Sequence, residues 1–277
     1  MIKIVAILLS IGLASLTSLL SFDVAWYYHA LIILGFTITY LIGFVILFFL
    51  LWTLSVFYVS NKKEYNQSKF SNFTMRWITL VGLSLFSVKI HGTGKEIAYG
   101  LNSNYLLVTN HKSNLDSLIE DRYLWKSNMV FVAKKSLFKI PFVRKLIRGN
   151  GYLLLDRDDL RQEIKTIKRA VDTLENSNVT VTIFPEGTRS KDDTILDFKG
   201  GSFKIAMRSK KPIVLGAIYN SNKINDGLLI RRHHVYLSII EAIPYEKYSE
   251  MDTELLAKYC HDKIEAEYKR LKEVHSK

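Results

Sequence analysis

The chain has 277 residues, 48% of them hydrophobic, and 38 Lys and Arg against 26 Asp and Glu give a formal net charge of +12. At about 100 to 200 residues per domain, the length fits one folded domain plus an appendage. So much apolar content with 14 Gly and 4 Pro excludes collagen-like, low-complexity and disordered chains, and a single Cys excludes a disulfide framework.

In residues 1–60, apart from tyrosines, Lys3, Asp23 and His29 are the ionisable side chains, so the positive charge belongs to the rest of the chain. Ile4 to Phe22 is uncharged and as a helix would reach about 28 Å, close to the ~30 Å of bilayer hydrocarbon. A second run, Ala30 to Val59, ends at Lys62 and Lys63 with Lys69 beyond, and Trp26, Tyr27 and Tyr28 lie between the runs. The basic outer ends predict a membrane helical hairpin over 1–60 with both ends cytoplasmic. Small residues at Ala6, Ser10, Ala14 and Ser18, and at Gly35, Thr39 and Gly43, would let the two backbones approach closely. A cleaved signal peptide would need an Ala-x-Ala site, and no clean one follows Phe22. A shallow hairpin in one leaflet fits the same pattern.

Residues 61–88 read as an interfacial helix, about Ser71 to Leu85, and a linker. Five apolar runs of strand length follow: Tyr105 to Asn110, Met129 to Ala133, Tyr152 to Asp156, Val179 to Phe184 and Pro212 to Tyr219. Helix-like segments lie between them at Asn114 to Lys126, Pro141 to Arg148, Asp159 to Asn176 and Gly201 to Ser209. This alternation predicts an α/β domain over 89–245, with a mainly parallel sheet flanked by helices. His233 to Ile243 is strand-like, and residues 246–277 hold an amphipathic helix from about Asp252 to Glu273. Cys260, within it, has no partner at metal spacing and reads as a passive thiol; no metal and no cofactor are indicated.

The first four runs each deliver polar residues just past their C-terminal ends: Asn110-His111, Lys134-Lys135, Asp156-Arg157 and Glu186-Gly187-Thr188-Arg189. In a parallel sheet these ends share one edge, where α/β folds place ligands. His111 and Asp116 are five apart, about 140° around a continuous helix, so contact requires a bend between them. Ser113-Asn114-Leu115-Asp116 supplies one as a capping-box pattern, with Ser113 as N-cap and Asp116 aimed back at the His111 loop. A carboxylate on one imidazole nitrogen fixes the tautomer and leaves the other free to take a proton from a hydroxyl. Arg157 and Arg189, with Lys134 or Lys135, could hold a phosphomonoester through charge-assisted hydrogen bonds.

In order, the chain carries Asn-His-x4-Asp, then Phe131 to Lys135 and Ile140-Pro141, then Gly-x4-Asp-Arg, Phe-Pro-Glu-Gly-Thr-Arg-Ser and Lys211-Pro212-Ile213-Val214. Over about 88–245 it resembles the glycerolipid acyltransferase family of the bacterial 1-acyl-sn-glycerol-3-phosphate acyltransferase type. The resemblance implies that His111 is the general base and Asp116 its orienting partner. It also implies that Arg157, Glu186, Gly187, Thr188 and Arg189 bind the acceptor's glycerol phosphate. Lysophosphatidic acid would be that acceptor, and acyl-CoA or acyl carrier protein thioester the donor. One departure is Leu215-Gly216-Ala217, where the family usually has a second Pro.

Between Asp121 and Asp156 the chain is basic without an acidic residue, and Phe142, Val143, Leu146 and Ile147 oppose Arg144, Lys145 and Arg148. That is the pattern of a face on anionic lipid. The expected location is the cell membrane, with the catalytic domain on its cytoplasmic face and no nucleic-acid partner. Competing readings are an acyltransferase for glycerol-3-phosphate or another lysophospholipid, a thioesterase, and a non-catalytic basic membrane-anchored binding protein.

Overall fold

The computed structural model describes residues 12, 26–60, 69–134, 147–155, 159–190, 192, 194–224 and 231–276. The chain divides into two compact units, 1–61 and 62–277. In the first, helix α1 (Trp26–Ser60) continues without interruption through the second apolar run. Among the described residues it alone is long and apolar enough to cross a membrane, over Ala30–Leu47. Leu31, Leu34, Ile38, Leu41 and Ile46 lie exposed along it, an all-round apolar surface of the kind that hydrocarbon solvates. The first run, Ile4 to Phe22, lies outside the described residues except at Gly12, and with it the expected hairpin.

The second unit is a seven-stranded sheet between two layers of helix. In chain order its elements are α2 (Lys69–Leu85), β1 (Val88–Thr93), α3 (Lys95–Tyr99), β2 (Leu106–Thr109), α4 (Asp116–Tyr123), β3 (Met129–Lys134) and β4 (Leu153–Leu155). They continue as α5 (Leu160–Asn176), β5 (Thr180–Ile183), a 3₁₀ turn (Gly200–Phe203), α6 (Lys204–Ser209), β6 (Ile213–Tyr219) and a 3₁₀ turn (Asn222–Ile224). β7 (His233–Ile243), α7 (Tyr245–Tyr248) and α8 (Thr253–His275) close the chain. Most of the expected helix at 141–148 lies outside the described residues.

The strand order is β1-β7-β6-β2-β5-β3-β4. β2 to β6 run parallel, whereas β7 lies antiparallel to β6 and carries β1 parallel to itself. The sheet is thus mainly parallel, with a reversed pair at one side. The central strands are apolar on both faces because both faces are covered. Side chains alternate: Leu106, Val108, Val181, Leu215 and Ala217 enter the core beneath α5, α6 and α8. Leu107, Phe131 and Val214 point into the opposite core with Met75 of α2 and Ala98 of α3. This period of two is the signature of strand geometry.

Helix starts follow from capping. Asp159 accepts hydrogen bonds from the Arg161 and Gln162 amides, and Asp252 from that of Leu255, satisfying donors that a first turn leaves unpaired. Cys260 is fully buried among α8's core residues, and burial pushes its thiol up from the ordinary range, which suits an inert core thiol.

Candidate active site

β2 ends at Thr109, and the loop that follows is fastened residue by residue. Asn110 is fully buried; its side-chain amide donates to the Ile218 carbonyl at 2.9 Å, and its oxygen accepts from the Ile218 amide at 2.8 Å. The side chain therefore continues the β2 to β6 ladder for one step and fixes the direction in which His111 leaves the sheet. Lys112, 2% exposed, gives its ammonium to the carbonyls of Asp192 and Thr194 and lies 4.9 Å from the Tyr268 ring centre.

Between these anchors, His111 Nδ1 meets Asp116 Oδ2 at 3.0 Å. The same oxygen accepts the Lys112 and Ser113 amides, each at 2.7 Å. Asp116 is fully buried, while the His111 side chain keeps 22% of its exposure. Its ring stacks on Phe184 at 4.2 Å between centroids, so the imidazole plane is held from the side as well as through Nδ1. Among the described residues Nε2 has no partner, and the ring lines a cavity at the sheet edge.

The helix begins at Asp116 itself rather than at Asn114, and Leu115, not Ser113, is its N-cap. Half of the expected capping box is present, since the Asp116 carboxylate accepts the Ser113 amide. In place of the other half, Ser113 Oγ accepts from Leu115 N at 3.3 Å. The carboxylate is drawn back into the loop by three donors at once, which turns a helix-start device into an imidazole holder.

β5 delivers the second wall. Phe184-Pro185-Glu186-Gly187 forms a turn closed from the Gly187 amide to the Phe184 carbonyl at 3.0 Å, with Pro at the second position, where its fixed φ suits a turn. Gly187 has φ 75°, a conformation costly to any side chain. Glu186, 2% exposed, accepts the His111 amide on Oε1 at 2.7 Å and the Leu196 amide on Oε2 at 2.9 Å. Burial raises its carboxyl above the ordinary value, opposed chiefly by those amides and by Lys112. Glu186, expected to meet substrate, has each carboxylate oxygen accepting a backbone amide, one from the His111 loop and one from Leu196. The Ser190 amide adds a bond to the His111 carbonyl at 3.3 Å.

Thr188 and Arg189 project from this turn exposed, and Arg189 has no protein partner among the described residues. Lys134, exposed at the end of β3, joins His111 and Gly187 around the cavity. Apolar side chains of Val132, Leu155, Ile167, Ile183 and Ile205 form its walls. Lys135 and Arg157 lie outside the described residues. The sheet edge thus brings together His111, Asp116, Lys134 and the 186–189 turn. Spacing did not reveal the anchoring roles of Asn110, Lys112 and Glu186, nor the buried Glu120 on α4; Glu120's one available signal was its position one helical turn after Asp116.

The family described as Acyltransferase matches residues 87–218. The 1-acyl-sn-glycerol-3-phosphate acyltransferase of Escherichia coli is 33% identical over 176 residues, covering 62% of this chain and 70% of that enzyme. The chain belongs to the acyltransferase family. The enzyme of the same name from Borreliella burgdorferi is 30% identical over 187 residues, covering 65% of this chain and 74% of its own. The fold agrees with the crystal structure of the 1-acyl-sn-glycerophosphate acyltransferase of Thermotoga maritima, at TM-score 0.61 and 23% identity over 80% of this chain and 95% of that one. This protein is an acyltransferase, and the chemistry of its site is to be read as acyl transfer.

Proposed function

We propose that this acyltransferase moves a fatty acyl group from a thioester, of coenzyme A or of acyl carrier protein, to the 2-hydroxyl of 1-acyl-glycerol-3-phosphate, forming phosphatidic acid. The observation that carries the reading is the 3.0 Å contact between His111 Nδ1 and the buried Asp116 carboxylate, with the imidazole lining a largely apolar cavity that Lys134, Glu163 and Gly187 also line. Relatives bearing the name 1-acyl-sn-glycerol-3-phosphate acyltransferase support the choice of acceptor.

In this reading Asp116 keeps the proton on Nδ1, so that Nε2 is the basic nitrogen. Nε2 accepts the proton of the 2-hydroxyl as the oxygen attacks the thioester carbonyl. When the tetrahedral intermediate collapses, the carbon–sulfur bond breaks and the imidazolium returns the proton to the departing thiolate. Arg189 and Lys134, with Lys135 next to Lys134 in sequence and Arg157 two residues after β4, hold the phosphate. The Gly187 backbone and Thr188 hydroxyl complete that cradle. Glu186 serves it from behind by holding the turn against the His111 loop. α1 keeps the chain at the bilayer, on its cytoplasmic face, where both the acceptor and the product dissolve.

Purified protein incubated with labelled acyl thioester and a panel of lysophospholipids tests the reading. Labelled phosphatidic acid formed from lysophosphatidic acid, with no acyl release when the acceptor is omitted, is the expected result. Acceptor-independent fatty acid release, or preference for glycerol-3-phosphate, would overturn it.

A further inference from the structure

Beneath the catalytic loop lies a second carboxyl that the reaction as written does not use. Glu120 is one turn beyond Asp116 on α4, and both are fully buried. Its Oε1 accepts from the Thr109 hydroxyl at 2.5 Å. Among the described residues its Oε2 has no hydrogen-bond partner, and neither does Asp116 Oδ1, the carboxylate oxygen not bonded to His111. Two buried carboxyl oxygens without donors, a helical turn apart on one face, are costly if both groups are ionised, because each loses its hydration and each repels the other. They are satisfied together if one proton lies between them.

We propose that Glu120 is a positioning residue of the catalytic pair: held in its protonated form, it donates from Oε2 to Asp116 Oδ1 and steadies the carboxylate that orients His111. The inference rests on the reading of His111 and Asp116 given above. Which carboxyl carries the proton follows from the donors around each. Asp116 faces two backbone amides and an imidazole N–H, all of which stabilise an anion, whereas Glu120 has a single hydroxyl. Burial is the largest cause raising the Glu120 carboxyl well above its ordinary value; the Asp116 charge adds to it, against the Thr109 bond. Among the described residues no cation pairs with Glu120. The other titratable groups facing it are Tyr105 ahead of β2 and Tyr152 ahead of β4, each with its phenol raised by burial. Such a carboxyl relay spreads the Asp116 charge over two hydrogen-bonded oxygens and fixes its rotamer from the side opposite His111.

The site is braced for this arrangement. Thr109 pairs with Gly216 across β2 and β6, and a Cβ at Gly216 would come 2.9 Å from Thr109 Cγ2. Gly216 therefore leaves room for the threonine that holds Glu120.

Three measurements on the full chain decide the matter. An infrared difference spectrum between wild type and Glu120→Gln at neutral pH should contain the carbonyl stretch of a protonated carboxylic acid lost from the variant. Its absence would show an ionised Glu120 and overturn the proposal. Glu120→Gln keeps an acceptor for Thr109 and a donor for Asp116, so its kcat should stay within about twofold and the acid limb of its kcat/KM profile should not move. A limb displaced to lower pH is what removal of a negative charge beside the pair would produce, and it would contradict a neutral Glu120. Glu120→Leu, checked for folding by circular dichroism, should lose about tenfold in kcat and shift the acid limb upward, because the unshared Asp116 charge then bears on His111 alone. Unchanged kinetics in the folded leucine variant would overturn the proposal. If that variant does not fold, the infrared band and the glutamine profile still decide. A folded, fully active His111→Ala would instead count against the reading of the catalytic pair, whatever the infrared result.

Discussion

His111 and Arg189 stand on neighbouring loops joined by a backbone bond from Ser190 to His111, but the two side chains are held in opposite ways. The imidazole is stacked on Phe184 and bonded to a carboxylate that itself accepts two amides. The guanidinium is exposed and has no protein partner among the described residues. The difference is physical: a group that moves a proton gains from being fixed before substrate arrives, since misorientation costs rate directly. A group that grips a mobile phosphate can be ordered by the ligand itself. Mutations on the two loops should therefore separate into losses of turnover and losses of acceptor affinity.

The largest effect is expected from His111→Ala, with kcat/KM falling about 10²- to 10⁴-fold. Thermal unfolding should be nearly unchanged, because the ring is partly exposed and no buried donor loses its partner. Asp116→Ala should also cost activity but differ in stability. It strips the acceptor from two backbone amides and should cost about 2 to 4 kcal/mol, read as a fall in unfolding midpoint by denaturant. Arg189→Ala should raise the apparent KM for lysophosphatidic acid about tenfold or more with kcat and unfolding little changed. An unchanged KM would remove Arg189 from the phosphate site. Lys112→Met should act mainly on stability, by about 1 to 3 kcal/mol, since its ammonium ties the 192–194 segment to the His111 loop.

The smallest effect is one of pH. The Glu120 carboxyl is raised in the folded state by burial first and by the Asp116 charge after it, so the folded chain binds that proton more tightly than the unfolded one. Its contribution is complete below the ordinary carboxylate range and is lost as pH rises through the folded value. Glu120→Gln does not titrate, so the unfolding midpoint of wild type should fall relative to that of the variant as pH is raised.

Much of this was legible in the chain because it depends on local pattern. The strands β2, β3 and β6 are largely apolar runs since both faces of the sheet are covered, β5 is a β-branched Thr-Val-Thr-Ile, and His111 and Asp116 stand out by their spacing and the bend-forming Ser113. β1 was not legible: Val-Lys-Ile-His-Gly-Thr lacks an apolar run because its side chains are half-buried or exposed. The antiparallel direction of β7 was equally hidden, being set by the connection after β6 rather than by composition. Lys112 and Glu186 look like surface charges in sequence. Only long-range pairing, 80 residues apart for Lys112 with Asp192 and 75 for His111 with Glu186, reveals them as buried fastenings. Glu120 is hidden for the same reason, since nothing local shows that its side of α4 faces the sheet.

Acyl transfer as proposed requires that a hydroxyl proton pass to His111 while the acceptor's phosphate is held beside it. The most direct test is the formation of labelled phosphatidic acid from lysophosphatidic acid and an acyl thioester by wild type and by folded His111→Ala under the same conditions. Product from the first and almost none from the second is the expected result; equal rates from both would contradict a general-base role for His111.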